Sequence, residues 1–295
     1  MTDDLDVFEA ERAHLFGVAY RMLGSVAEAE DVLQDAFVRW SRRDATPTSA
    51  RAFLTTTVVR LCLDMKKSAR ARRESYVGPW LPEPLVASTQ ELEIEPDAEA
   101  RVARAESLHM AFLVLLETLT PLERATFLLR EVFDQSFEEI AATLGTTEAA
   151  CRKLFSRARA HVDEGRPRFS ASPAKKEALL SAFLAAAGAA DTHALEQLLA
   201  EDVVLRSDGG GKVHAALKPI FGRDRTARFI LGVSKKLGGD GRVELARVNG
   251  EPGVLLVDGG GQAIAALVLA VRGESVTEIF LVTNPDKLAR VAQQS

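Results

Sequence analysis

TPLERATFLLREVFDQSFEEIAATLGTTEAACRKLFSRARAHV, residues 120–162, is the stretch whose periodicity decides how the chain folds. Ser136 and Glu139 stand in the Ser-x-x-Glu relation of a capping box, which predicts a helix starting near Phe137. Ile140 and Leu144 lie one turn apart on its buried face. Gly145 suits a sharp turn, because a residue without Cβ accepts positive φ at little cost. Thr146 or Thr147 then caps a second helix, with Glu148 favourably placed in its first turn. In that helix Cys151, Phe155, Ala158 and Val162 share one side, while Arg152, Lys153, Ser156, Arg157 and Arg159 occupy most of the rest. An apolar back and a basic front after a glycine turn is the pattern of a helix-turn-helix. The same pattern also fits an αα-hairpin with an ordinary solvated face.

Working outward, residues 5–43 read as two helices. Phe8, Leu15, Val18 and Met22 give the first its stripe, and Ser25 to Glu28 is a start signal for the second. The second buries Ala29, Val32, Leu33, Ala36, Phe37 and Trp40 and leaves Asp31, Gln34, Asp35 and Arg39 outside. A third helix begins near Ala50, apolar at first and then basic, with Lys66, Lys67, Arg70, Arg72 and Arg73. Tyr76 and Trp80 follow closely. Cations beside aromatics suit a surface that tracks phosphates and stacks on unpaired bases; a basic helix end complementing the macrodipole is the simpler alternative.

From Val77 the composition changes. Residues 77–106 hold four prolines, seven acidic and two basic side chains, so most of the net charge of −5 resides there. Proline removes backbone donors and favours extended chain, which predicts a linker. Trp80, set between prolines, marks a candidate docking point. With neither flanking region strongly basic, tight unaided binding to duplex DNA is not expected. The two cysteines, Cys62 and Cys151, lie on apolar helix faces, and no cluster has zinc-ligand spacing, so neither a metal nor a cofactor is expected. No leader-like opening or membrane-length apolar run appears, which predicts a cytoplasmic protein without membrane attachment.

After residue 172 a helix pair with Asp191 as a cap leads into the strand VVLRSD. A helix over 222–237 and four more strands follow, giving helices against an antiparallel meander, an α+β cone. Asp208, His214 and Asp258 are the candidates for acid–base chemistry in its pocket. The glycines at 209–211 fit a hairpin on turn geometry alone, and Asn284-Pro285-Asp286 fits an Asx turn.

AEDVLQDAFVRW (29–40) resembles the helix by which bacterial sigma factors grip the RNA polymerase clamp, and the helix ending at Tyr76 is similar to the segment that opens and reads the −10 element. Residues 108–162 resemble the sigma domain that reads −35. The chain is identified as a member of the extracytoplasmic-function group. WLPEP (80–84), DGGGK (208–212) and NPDKL (284–288) further resemble the subgroup with a fused SnoaL-like domain in place of a separate anti-sigma protein. This resemblance implies two all-α sigma domains, at 1–76 and 107–165, joined by a linker at 77–106 and followed by a SnoaL-like domain at 173–295. It implies polymerase contact by Asp31, Gln34, Asp35, Phe37 and Trp40, and −10 melting around Arg60 to Arg73. Asn is common in the group where Arg60 stands, which leaves the flipped-base pocket open. It implies −35 reading by Arg152, Lys153, Ser156, Arg157 and Arg159. The implied partners are core RNA polymerase and promoter DNA. The regulatory expectation is that Asp208, Gly209, Gly210, Gly211 and Lys212 dock on Trp80, Leu81, Pro82, Glu83 and Pro84. Asn284, Pro285, Asp286, Lys287 and Leu288 are expected to modulate that contact. A stand-alone helix-turn-helix regulator and a cyclase-type enzyme with a DNA-binding front end are the alternatives.

Overall fold

The computed structural model describes residues 4–74, 76–87, 108–165, 171–237 and 241–291. The chain forms two compact units, Met1–Ser75 with Phe112–Arg166, and Tyr76–Ala111 with Pro167–Ser295.

In the first unit α1 (Asp4–Leu23), α2 (Val26–Ser41) and α3 (Ala50–Glu74) bury Phe8, Leu15, Val18, Leu33, Leu54 and Val58 against one another. The Ser25 hydroxyl caps α2 by accepting from the Glu28 amide. After α4 (Met110–Leu116), Thr120 and Glu123 make a capping box that starts α5 (Pro121–Phe127), which a π-type turn at Leu128–Val132 extends. Arg124 on α5 is fully buried: its Nε donates to the Arg21 carbonyl at 2.8 Å and its guanidinium pairs with Glu117, which Lys66 also reaches at 3.2 Å. A buried charge is tolerable only when paired and hydrogen-bonded. This network therefore ties the two expected sigma domains into a single unit.

The helix-turn-helix forms as the caps predict. Ser136 and Glu139 cap α6 (Phe137–Leu144) reciprocally, Gly145 turns the chain at φ +65°, and the Thr147 hydroxyl accepts from the Ala150 amide at the start of α7 (Glu148–Gly165).

The second unit is a seven-stranded sheet in the order β1-β4-β5-β6-β7-β2-β3. Strands β4 (Arg242–Val248), β5 (Glu251–Val257), β6 (Ala263–Arg272) and β7 (Ser275–Val282) are the expected antiparallel meander. The sheet is nonetheless mixed, because β2 (Leu199–Asp208) runs parallel to β7, with Leu205 opposite Ile279. The short β3 (Ile220–Phe221) closes that edge. Helices α8 (Pro173–Gly188), α9 (Thr192–Leu198, capped by Asp191) and α10 (Arg223–Leu237) pack on one face with Phe183, Leu195, Val203, Ile230 and Leu269. This is the α+β cone anticipated.

The described part of the expected linker, residues 77–87, which carries the candidate docking point at Trp80, is a structural part of this unit. Leu81 is fully buried, Pro82, Glu83 and Pro84 are buried, and β1 (Val86–Ala87) adds an edge strand by pairing with β4. The prolines hold the chain extended, and an extended chain is what an open sheet edge accepts.

The turn of the helix-turn-helix offers a clean test of backbone control. A Cβ at Gly145 would meet nothing within 4 Å, so only its positive φ is at stake. Gly145→Val should cost about 1–2 kcal/mol in chemical denaturation, and Gly145→Asn much less.

Candidate functional site

On α7, Cys151, Ala158 and Val162 are buried, and Phe155 packs between Phe127 at 6.0 Å and Phe137 at 5.7 Å. Burial pushes the Cys151 thiol up, so it remains a protonated packing group. Arg152, Lys153, Ser156, Arg157 and Arg159 are all exposed on the opposite side. Arg152 pairs with Glu148 at 2.9 Å and lies over Phe137, while Arg159 faces Asp163 at 3.7 Å. These are screened surface pairs that a phosphate displaces at little cost.

On α2, Asp31, Gln34 and Asp35 are exposed in one patch. Phe37 is half-buried edge-on to Phe8 at 5.1 Å. Trp40 is buried as its helical spacing predicts, which corrects the polymerase contact that the family resemblance implied for it. It is 2% exposed, its indole N–H donates to the Asp4 carbonyl at 3.0 Å, and Arg43 covers the ring while gripping Asp4 with two hydrogen bonds. Trp40 is thus a core residue that seats the start of α1, and the polymerase-facing candidates reduce to the acidic patch with the edge of Phe37.

On α3, Arg60 and Lys66 are already engaged within the unit. Arg60 donates to the Thr143 carbonyl at 3.0 Å and the Ala142 carbonyl at 3.3 Å, covering the C-terminal end of α6, where a cation complements unpaired carbonyls. Thr56 and Thr143 share a hydroxyl contact of 3.1 Å. Lys66 is committed to Glu117, whereas exposed Lys67 only meets Asp64. Arg70, Arg72 and Arg73 belong to α3, but their side chains lie outside the described residues. Two of the expected −10 contacts therefore hold the helix-turn-helix half in this conformation.

In the second unit the three motifs converge on Asp208, which is fully buried at the end of β2. Its Oδ1 accepts from the Tyr76 hydroxyl at 2.6 Å and the Gly210 amide at 3.0 Å. Its Oδ2 accepts from the Leu81 amide at 2.8 Å and Lys287 Nζ at 2.7 Å. Lys287 Nζ also donates to the Leu81 carbonyl and lies 4.3 Å from the centre of the Trp80 ring. Asn284 caps α11 (Pro285–Leu288) through the Asp286 amide and donates from Nδ2 to the Tyr76 hydroxyl at 2.9 Å. A Cβ on Gly210 would fall 2.4 Å from that amide, so the close approach requires glycine. Lys212 reaches Asp286 at 2.7 Å on the exposed rim.

Burial, reinforced by the hydrogen bond to Asp208, raises the Tyr76 phenol above its ordinary range. A raised phenol contributes fully below its ordinary pKa and is lost only as pH climbs through the higher folded value. It therefore stays a donor across neutral pH. Tyr76 is a residue that sequence reasoning placed elsewhere, as a base-stacking aromatic. Two further ties were missed. Asn249 bonds Leu85 through both side chain and backbone, and buried Glu251, whose carboxyl is raised by desolvation and pulled back by Lys176, faces His109 at 3.5 Å. The Asn249-Gly250 turn is visible in the sequence; its bond to residue 85 is not.

The acid–base candidates are not brought together. Asp208 is consumed in the motif cluster, His214 is exposed, and Asp258 caps its own turn through the Gly260 and Gln262 amides. None lines the cavity of the cone, which is bounded by Phe183, Ile230, Val254, Leu267 and their neighbours.

A helical core with an acidic patch on its second helix, followed by a basic-faced helix-turn-helix, is the arrangement of a sigma factor of the sigma-70 type. Residues 7–72 match the model of Sigma-70 region 2, and residues 109–162 that of Sigma-70, region 4. The chain is 41% identical to the ECF RNA polymerase sigma factor SigJ of Mycobacterium tuberculosis (strain ATCC 25618 / H37Rv), over 96% of this chain and 93% of that one. It is 32% identical to the probable ECF RNA polymerase sigma factor SigI of the same strain, over 95% and 93%. The crystal structure of M. tuberculosis SigJ superposes with a TM-score of 0.75 at 38% identity, covering 96% of this chain and 97% of that one. The chain belongs to the extracytoplasmic-function RNA polymerase sigma factors, which direct promoter-specific initiation by core RNA polymerase. Among the described residues no helix is long and apolar enough to cross a membrane.

Removing one partner of a buried ion pair strands the other. Lys287→Met should cost the second unit about 3 kcal/mol and make Trp80 more accessible to acrylamide quenching. Trp80→Phe, which leaves only the buried Trp40, identifies the signal.

Proposed function

We propose that the C-terminal domain regulates the sigma factor in cis by holding residues 76–87 on its sheet. The observation that carries this reading is the buried Asp208 carboxylate, two of whose four donors, Tyr76 and Leu81, belong to the segment between the sigma domains. The chain leaves the sigma unit after residue 75 and re-enters it at 112, so the segment that must move for the promoter-reading domains to separate is the one the domain grips. Arg60 and Lys66, held by Thr143 and Glu117, favour the same restrained form. Core polymerase, bound through Asp31, Gln34, Asp35 and the Phe37 edge, shifts the population toward the separated form, since it binds that form better. Promoter DNA then meets α3 and the front of α7, with Arg as the candidate for bidentate guanine contact and Lys and Ser for phosphate.

On this reading the domain works by contact and not by catalysis, supported by the commitment of Asp208 to the segment. No separate anti-sigma protein is required, and the protein acts in the cytoplasm beside the polymerase.

Run-off transcription with purified core enzyme and limiting sigma factor tests this directly. Asp208→Asn and the double variant Arg60→Ala/Lys66→Ala separate the two restraints. Asp208→Asn should raise promoter output several-fold, whereas the double variant, which also removes DNA contacts, should not exceed wild type. Unchanged or diminished output from Asp208→Asn would refute regulation by restraint.

A further inference from the structure

The chain between the sigma domains, Tyr76–Ala111, belongs to the second unit, and the β4–β5 hairpin touches it near both of its ends. At the entry, the Asn249 amide donates to the Leu85 carbonyl at 2.7 Å, and the Leu85 amide donates to Asn249 Oδ1 at 3.2 Å. Both backbone groups of Leu85 are thereby taken, and Val86 and Ala87 go on to pair with Val248 and Arg247. At the exit, buried Glu251 accepts from the Met110 amide and faces His109 Nδ1 at 3.5 Å. Met110 is itself buried and begins α4.

The register fixes how close the two grips are. Val86, Val248 and Glu251 are successive partners across β1, β4 and β5. Neighbouring strands are spaced about 4.8 Å, so Glu251 stands two strands, roughly 10 Å, from Val86. Asn249 takes a φ of +54° in the Asn-Gly turn that brings the grips together. The hairpin is anchored in turn to α8. Lys176 donates to Glu251 at 2.8 Å, and Arg247 reaches Glu177 at 3.5 Å.

We propose that this hairpin is a second hold on the chain between the sigma domains, with Asn249 and Glu251 as positioning residues that shorten the free tether. The inference rests on the reading that the C-terminal domain regulates in cis. Were the exit free, residues 88–107 would belong to the tether, and twenty residues of extended chain reach about 65–70 Å. With both ends on one hairpin they add nothing to that reach. Opening the Asp208 contact alone leaves the chain closed from Leu85 to Met110, so full separation requires the hairpin to let go as well. Glu251 keeps Lys176 when the chain leaves, so release strands no charge.

Two measurements on the full-length protein test this. The first is amide hydrogen exchange without polymerase, which does not depend on the regulatory reading. Asn249→Gly removes the acceptor for Leu85 and still accepts positive φ. It should speed exchange at Leu85 about three- to tenfold. Glu251→Gln should do the same at Met110, with the amides of β6 unchanged in both variants. His109→Ala, which leaves the Glu251–Lys176 pair intact, should also speed Met110 and keeps the test decisive if Glu251→Gln disturbs the sheet. The second is run-off transcription with core enzyme and limiting sigma factor. Each hairpin variant should raise output about threefold, and Glu251→Gln combined with Asp208→Asn should exceed either alone. Lost stability lowers output, so a rise reports release. Fast exchange at Met110 in the wild-type protein, or exchange indifferent to Glu251→Gln and His109→Ala, would overturn the second hold. So would output unchanged by the hairpin variants where Asp208→Asn raises it. If Asp208→Asn is silent too, the regulatory reading fails, and exchange at Met110 alone decides whether the hold exists.

Discussion

The second unit depends on a carboxylate held out of water. Withdrawing a charge like Asp208 from solvent costs several kcal/mol, and the loss is recovered only if a counter-charge and enough donors reach it. Lys287, Gly210, Tyr76 and Leu81 supply them. The first two come from the domain itself and the last two from the segment between the sigma domains. If the segment leaves, Asp208 regains water along with its two resident partners, so release is far cheaper than breaking the ion pair. That asymmetry is what the proposed regulatory hold requires of the contact.

The sigma unit follows a related logic with the opposite sign. Its cations serve twice. Arg60 neutralises the carbonyl end of α6 and Lys66 satisfies Glu117 beneath the buried Arg124, yet both stand on the helix that resembles the −10 reader. A phosphate backbone competes for the same charges. With no net positive charge on either sigma domain and with Arg60 and Lys66 held inside the unit, the expectation that tight unaided binding to duplex DNA is absent keeps its physical basis.

Local chemistry was legible in the sequence, and long-range pairing was not. The capping box at Ser136–Glu139, the glycine turn and the buried stripe of α7 follow from i, i+3 and i+4 relations that a reader can count. The helices and strands of the cone are legible for the same reason. The parallel union of β2 with β7 joins residues more than seventy positions apart, and nothing in either strand's alternation specifies it. Tyr76 was misplaced because an aromatic beside charged residues reads alike whether the charges are its own fold's or a partner's, whereas Trp40 was read as buried from its helical spacing and assigned polymerase contact only by the family resemblance. For Tyr76, only the location of the Asp208 carboxylate decides. Likewise the prolines of residues 79–84 declare an extended chain, but not that a sheet edge awaits it. The convergence of DGGGK and NPDKL on WLPEP was anticipated from family resemblance, and the atoms that accomplish it came from the structure.

The most direct measurement of the central claim is hydrogen exchange at the Leu81 amide, which donates to Asp208, in the free protein and in the complex with core RNA polymerase. The amide should be strongly protected in the free protein and exchange much faster once polymerase is bound. Rapid exchange in the free protein, or protection that polymerase leaves untouched, would contradict the account.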